Sequence, residues 1–317
     1  MPSDTPLPTS TPIPPPLAVA CQELNRAVIA FYYAWYDMGD WTSGTTSNGD
    51  LPNPTYDSSD DATITRHIQQ ADDGGIDALA CAWKGPDDAR TTNNCRKLLK
   101  LIEASGRKIR MAMFADSAAS GLFTEGEMIR AIGVLQSDFM QSPAYFKIQG
   151  KPVFVAWQAE RMDIATWQRI RGQVDSGNSE IWFGGTDQFN YLDVFDTLFY
   201  FDISWERSPG AAMTSYNNRL NTYNKSHGTQ KPFIGTVMPG YDDTARRGPG
   251  HQVMPRGDNA AYYRGTWQDV IKRRACAVML TSFNEFYEGS YIEPSNLYGT
   301  LYLDTTKELI AQYKNAP

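Results

Sequence analysis

From Arg26 onward the chain alternates short, nearly continuous apolar runs with longer stretches in which apolar residues recur every three or four positions. Runs of the first kind suit strands buried on both faces, and the second kind suits amphipathic helices. The strand-like runs are 27–33, 76–83, 108–115, 152–157, 181–184, 197–204, 233–238 and 275–283. Helical periodicity marks 62–73, 94–105, 125–140, 164–174, 216–225, 261–272 and 305–313; in the second of these Leu98, Leu101 and Ile102 share a face. Eight strands alternating with nearly as many helices predict an α/β fold, a single (β/α)8 TIM barrel. The rival is an open doubly wound sheet. No Gly-x-Gly-x-x-Gly follows the first run and no Gly-x-x-x-x-Gly-Lys-Ser/Thr occurs, so a nucleotide lacks its usual cradle and no cofactor is expected.

Residues before the first run behave differently. Met1 to Pro16 holds 7 of the 19 prolines, interleaved with Thr and Ser, a composition that favours extended chain over a packed core. Residues 1–20 are therefore expected to form a Pro/Thr-rich linker or tether, and 21–317 the barrel. Leu17-Ala18-Val19-Ala20-Cys21 resembles a lipoprotein cleavage box only superficially, because Pro14-Pro15-Pro16 stands where an apolar helix is required. Such tethers join modules outside the cell, so an extracellular or cell-surface location is expected, with the export signal not present in this chain.

Composition narrows the partners. The chain is 41% hydrophobic and 21% charged, and no run of about 18 apolar residues exists to span a bilayer. A net charge of -7 without a Lys/Arg cluster argues against nucleic acid. The four cysteines lack metal-binding spacing, there are three histidines, and no Asp-x-Asp-x-Asp-Gly loop occurs, so no metal is expected. Cys81 and Cys276 lie inside apolar runs and read as small core residues, while Cys21 and Cys95 are open to pairing in an oxidising compartment, though spacing alone fixes no connectivity. A monomer is expected.

Barrel enzymes build their sites at the C-terminal ends of the strands. Those ends carry Tyr33, Trp35 and Tyr36; Trp83 and Lys84; Asp116; Trp157 and Gln158; Asp187; Asp202, Trp205 and Glu206; Tyr241 and Asp242; and Asn284, Glu285, Tyr287 and Glu288. Aromatic faces stack on sugar rings while carboxylates and amides bond hydroxyls. Of the 39 aromatics among the 317 residues, many fall at the ends of apolar runs, where a cleft for an oligo- or polysaccharide would need them. Candidate sugar contacts are Tyr33, Trp35, Tyr36, His67, Trp83, Asp116, Trp157, Asp202, Trp205, Tyr241, Arg246, Asn284 and Tyr287. Glu285 and Glu288 are the candidate catalytic pair. Residues three apart diverge on a continuing strand, but a turn directly after it brings both carboxyls toward one sugar, as glycoside hydrolysis requires.

The segment Asn284-Glu285-Phe286-Tyr287-Glu288-Gly289 followed by Ile292-Glu293-Pro294 resembles the Asn-Glu-Trp-His-Glu-Gly and Ile-Glu-Pro signature of glycoside hydrolase family 99, the endo-α-mannosidases and their relatives. Other pieces fall in that family's order: Tyr32-Tyr33-Ala34-Trp35-Tyr36, His67-Ile68, Gly75-Ile76-Asp77, Trp83, Gly150-Lys151-Pro152-Val153-Phe154, Pro239-Gly240-Tyr241-Asp242, and Tyr262-Tyr263 with Trp267-Gln268. The resemblance implies retaining cleavage inside an α-mannosidic chain. Glu285 is then the base that draws the proton from the sugar's own 2-hydroxyl to give a 1,2-anhydro sugar, and Glu288 the general acid/base. Departures fall on the lining: Phe286-Tyr287 replaces Trp-His, Trp157-Gln158-Ala159-Glu160 and Phe199-Tyr200-Phe201-Asp202 differ from the family's segments, and Lys84 replaces an aromatic or Gly. Two alternatives stand beside this reading: a glycosidase in which Glu285 is the nucleophile and Glu160 or Glu206 the acid, and a barrel that binds glycan without catalysis.

Overall fold

The computed structural model describes residues 15–316 apart from 118, 120 and 209; the linker expectation for 1–14 lies outside the described residues. Eight parallel strands form the wall of the barrel. They are β1 (Val28–Tyr32), β2 (Ala78–Trp83), β3 (Arg110–Asp116), β4 (Lys151–Trp157), β5 (Ile181–Gly185), β6 (Thr197–Phe199), β7 (Ile234–Val237) and β8 (Ala277–Leu280). Ladders run β6-β5-β4-β3-β2-β1-β8-β7. Between β7 and β6 the closure is made by side chains: the Thr197 hydroxyl reaches the carbonyl of Pro232 and the Thr236 hydroxyl that of Tyr200. Helices α1 (Asp61–Asp73), α2 (Ala89–Ser105), α3 (Glu125–Asp138), α4 (Ile164–Val174), α5 (Ala211–His227), α6 (Ala261–Lys272) and α7 (Leu301–Asn315) surround it. Between β5 and β6 the connection is the single 3-10 turn Phe189–Asp193.

Local chemistry explains the helix starts. Asp60, Asp88, Thr124 and Asp163 accept the orphan N–H three residues on, and Glu127 returns the bond at α3 to complete a capping box. The Asp88 cap starts α2 at Ala89, five residues ahead of the start that periodicity alone suggests at 94.

Strand alternation splits the core into two layers. Ile29, Phe31 and Tyr33, Ala78, Ala80 and Ala82, and Val153 and Val155 pack inside the barrel. Val28, Ala30 and Tyr32, Leu79, Cys81 and Trp83, and Phe154 and Ala156 face the helices. Phe31, Phe114 and Phe201 stack within 4.5–6.2 Å of one another and form the floor on which the cleft rests.

The structure pairs all four cysteines and corrects the reading of Cys81 and Cys276 as simple core residues. Cys81 bonds Cys95, because the outward face of β2 meets α2, and Cys21 bonds Cys276, because both lie just ahead of the neighbouring strands β1 and β8. Neither Cys81 nor Cys276 is a free core thiol, and Cys21 does not meet Cys95. The Cys21–Cys276 bridge spans 255 residues and ties the incoming chain to the barrel floor. Ahead of it the Leu17 N–H donates to Asp196 Oδ1 and Val19 is buried. Replacing Cys21 and Cys276 together by Ser is expected to cost about 2–4 kcal/mol, read as a Tm lower by on the order of 5 °C; an unchanged melting curve would show that the bridge constrains nothing.

Candidate active site

The cleft takes shape from the turn that leaves β8. Asn284 fastens this turn to the end of β1: its Oδ1 accepts the Tyr33 N–H at 2.7 Å and its Nδ2 donates to the Tyr33 carbonyl at 2.9 Å. The Glu285 N–H donates to Ser282 Oγ at 2.8 Å, and Phe286–Gly289 close a turn through a 3.0 Å bond from the Gly289 N–H to the Phe286 carbonyl. Gly289 adopts φ +60°, and a Cβ there would stand 3.2 Å from the Asp242 nitrogen, so glycine ends the turn. The neighbouring loop is held against it, with the Asp242 N–H donating to the Glu288 carbonyl at 2.7 Å. This turn brings both carboxyls onto one cavity.

Glu285 is 2% exposed. Its Oε1 accepts the Tyr36 hydroxyl at 3.0 Å and the Tyr287 N–H at 3.1 Å, and the Phe286 N–H in turn donates to the Tyr36 oxygen at 3.0 Å. Glu285 Oε2 and Glu288 Oε2 are buried and bond no described residue. An unpartnered buried carboxylate oxygen is costly, and at a cleft it marks where a ligand atom belongs. Burial and the charge of Glu288 hold the Glu285 carboxyl well above its usual range, against the two donors on Oε1. Burial and the charge of Asp202 push Glu288 up to about 7, while Arg247, whose Nη2 is 4.0 Å from Glu288 Oε1, pulls it down. Two carboxyls on one cavity, the deeper of them raised by the charge of the other, retain one proton near neutrality.

An inner cavity of about 180 Å³ is lined by Tyr33, Trp35, Ala82, Phe114, Asp116, Trp157, Phe201, Asp243, Arg246, Arg247, Glu285, Tyr287 and Glu288. An outer one of about 300 Å³ adjoins it, sharing Trp157, Phe201, Arg247 and Glu288 and adding Gln158, Glu160, Gly185, Thr186, Asp187, Tyr200, Asp202, Tyr241 and His251. Tyr287 is fixed by a hydrogen bond from its hydroxyl to Asp40 and by the Arg246 guanidinium 3.3 Å above its ring, and Lys84 Nζ lies 4.4 Å over Trp35. A larger hollow of about 930 Å³ runs along α5, but its carboxylate Asp269 is paired with Arg273, so it offers no comparable acid.

Of the sequence candidates, the structure gathers Tyr33, Trp35, Asp116, Trp157, Asp202, Tyr241, Arg246, Tyr287 and the two glutamates on these cavities. Tyr36 and Asn284 stand behind them as supports. Three candidates lie elsewhere. Trp83 points outward and donates to Thr92 Oγ1 at 2.7 Å, because it shares the parity of Leu79 and Cys81. His67 is buried on α1, its Nε2 2.8 Å from Glu293 Oε1 and its Nδ1 3.1 Å from the Tyr32 hydroxyl. Trp205 is 48% exposed beside Tyr200, outside both cavities. The sequence reading missed Asp243, Arg247 and His251, which come from the loop after β7; the doubled Asp242-Asp243 and Arg246-Arg247 were the available signal. Among the described residues no cluster of three or more His, Cys, Asp or Glu is disposed to hold a metal, and no helix is long and apolar enough to cross a membrane.

Known proteins share this architecture. A glycoprotein endo-alpha-1,2-mannosidase of Rattus norvegicus is 22% identical over 331 residues, covering 89% of this chain and 71% of its own. An endo-alpha-1,2-mannosidase-like protein of Homo sapiens is 39% identical over 75 residues, 23% of this chain and 16% of its own. The solved GH99 endo-alpha-mannosidase of Bacteroides thetaiotaomicron superposes with a TM-score of 0.78 at 21% identity, over 92% of this chain and 98% of the other. The family model of glycosyl hydrolase family 99 matches residues 47–314, from the long loop after β1 into α7 and through the Glu285–Glu288 turn, and the chain belongs to this family of glycoside hydrolases.

Proposed function

We propose that the protein is a retaining, endo-acting hydrolase of an α-linked glycan, foremost an α-mannoside, working through the substrate's own 2-hydroxyl. One observation carries this: Glu285 and Glu288 line one cavity, each with a buried oxygen lacking a partner, while the other oxygen of Glu285 is already filled by two donors. Glu285 Oε2 takes the 2-hydroxyl proton as that oxygen attacks the anomeric carbon. The bond to the leaving oxygen breaks, and Glu288 gives that oxygen its proton. Water then yields a proton to Glu288 and opens the three-membered ring at the anomeric carbon, and the 2-oxygen takes its proton back from Glu285. Two inversions give net retention. The pair must begin with one proton, on Glu288. The Tyr36 and Tyr287 donors favour that placement, and the deeper burial of Glu285 opposes it. Glu160 is exposed and Glu206 lines neither cavity, so Glu288 is the better placed acid for either route.

The two disulfides support folding in an oxidising, extracellular or cell-surface compartment.

The test is hydrolysis of α-1,2-mannotetraose with product anomers followed by NMR, alongside a substrate carrying fluorine in place of the reacting sugar's 2-hydroxyl. Retained configuration, no turnover of the fluorinated substrate and no mass added to the protein are expected. A glycosyl adduct on Glu285 would make that residue the nucleophile instead.

A further inference from the structure

Glu285 borders only the inner cavity, whereas Glu288 stands at the junction of both. If Glu285 serves the sugar that is attacked and Glu288 the oxygen that leaves, the outer cavity holds the leaving sugar. The side chains there are ordered by one buried carboxylate. Asp243 is 1% exposed; its Oδ1 accepts His251 Nδ1 at 2.6 Å, and its Oδ2 accepts the Tyr241 hydroxyl at 3.0 Å and is ion-paired with Arg247, whose Nε lies 3.1 Å away. The loop that carries them is fastened twice. A two-residue antiparallel ladder pairs Asp242 with Val253 and Tyr241 with Met254, which brings His251 back over the cleft, and the Asp242 N–H holds the Glu288 carbonyl.

A carboxylate only accepts, so Nδ1 of His251 carries the hydrogen and the ring plane is set. The imidazole is 40% exposed on the outer cavity, and its Nε2 bonds no described residue. Arg247, paired with Asp243 through Nε, places its Nη2 4.0 Å from Glu288 Oε1. An exposed histidine held by a fully buried carboxylate is an unusual expense for packing alone, since the imidazole covers little apolar surface. It is what a site needs to hold a hydroxyl-bearing ligand in one orientation.

We infer that His251 is a specificity-determining residue that hydrogen-bonds a ring hydroxyl of the leaving sugar through Nε2, and that Asp243 is the positioning residue that holds His251, Tyr241 and Arg247 in place for it. The inference rests on the proposed roles of Glu285 and Glu288. It selects a free pyranose with a hydroxyl near the cleaved linkage over a leaving group without one.

The experiment compares kcat/KM for α-1,2-mannotetraose with kcat/KM for α-1,2-mannobiosyl fluoride, whose leaving group has no hydroxyl to bind. His251→Ala should lower the tetraose-to-fluoride ratio about tenfold, the scale of one lost hydrogen bond to a well-ordered partner. Asp243→Asn should lower the ratio at least as far, and the double variant should add little, because the two side chains act as one unit. Asp243→Asn removes a buried charge and its Tm must be followed; His251→Ala, at a half-exposed position, keeps the test open if that variant misfolds. A ratio within twofold of the parent in His251→Ala overturns the inference, as does an equal loss on both probes, which would make His251 structural. A parent that cleaves neither probe rejects the α-mannoside reading on which the inference rests. Calorimetric binding of mannotetraose to Glu288→Gln, with and without His251→Ala, then decides the inference alone: tenfold weaker binding sustains it, and equal binding ends it.

Discussion

Glu288→Gln is expected to lower kcat on mannotetraose by roughly 10³-fold while leaving binding within a few-fold, because the amide keeps the shape of the acid and cannot deliver a proton. The parent's kcat should fall as pH rises through about 7, where Glu288 loses the proton that the leaving oxygen needs, and the residual rate of the variant should lack this limb. In the variant, stability moves the opposite way from activity. The folded protein keeps the Glu288 proton up to about 7, against an ordinary value of 4.5, so folding takes up a proton in between and stability declines as pH rises from 4.5 to 7. Gln escapes that decline. With the side chain 22% exposed, the gain is roughly 2–3 kcal/mol at pH 8 and vanishes near pH 4. Denaturant midpoints of parent and variant at the two pH values check the sign. A variant less stable than its parent at pH 8 would mean that Glu288 is a structural ion-pair partner of Arg247 rather than a strained acid.

Such strain is not visible in a sequence, but much else about this site is. The barrel was legible because buried parallel strands must be continuous apolar runs, and eight of them alternate with amphipathic segments between Arg26 and the C-terminus. The acidic pair was legible because a turn directly after a strand end is where a barrel places its chemistry. Trp83 was misplaced by a single residue of parity: with Ala78, Ala80 and Ala82 inside the barrel, Trp83 has to face α2, and the cavity wall at that strand is Ala82. Tyr33 and Trp157 keep the inward parity of Phe31 and Val155, which is why both line the cavity.

The disulfides were readable in principle. A closed barrel makes the first and last strands neighbours, and Cys21 and Cys276 both sit just ahead of those strands. The contact between Asp243 and His251 was not readable, because a carboxylate and an imidazole eight positions apart meet only once the loop between them has folded back on the Tyr241–Met254 ladder.

Glu285→Gln should be the more damaging of the two replacements, and the choice of leaving group separates them. Fluoride departs without a proton, so Glu288→Gln is expected to retain much more activity on mannobiosyl fluoride than on mannotetraose. The 2-hydroxyl must be deprotonated whichever group leaves, so Glu285→Gln should lose roughly 10³-fold or more on both probes. Tyr36→Phe probes the same carboxyl more gently. It removes the 3.0 Å donor from Glu285 Oε1 and leaves the Phe286 N–H without its acceptor. The ionised form of Glu285 loses a hydrogen bond, its pKa rises further, and the acid limb of kcat/KM moves to higher pH, so the variant's deficit should shrink as the buffer is made more alkaline. A Glu285→Gln enzyme that still turned over the fluoride at parental rates would remove Glu285 from the reaction. A Tyr36→Phe profile lower than the parent by the same factor at every pH would show that Tyr36 holds the turn in shape without tuning the base.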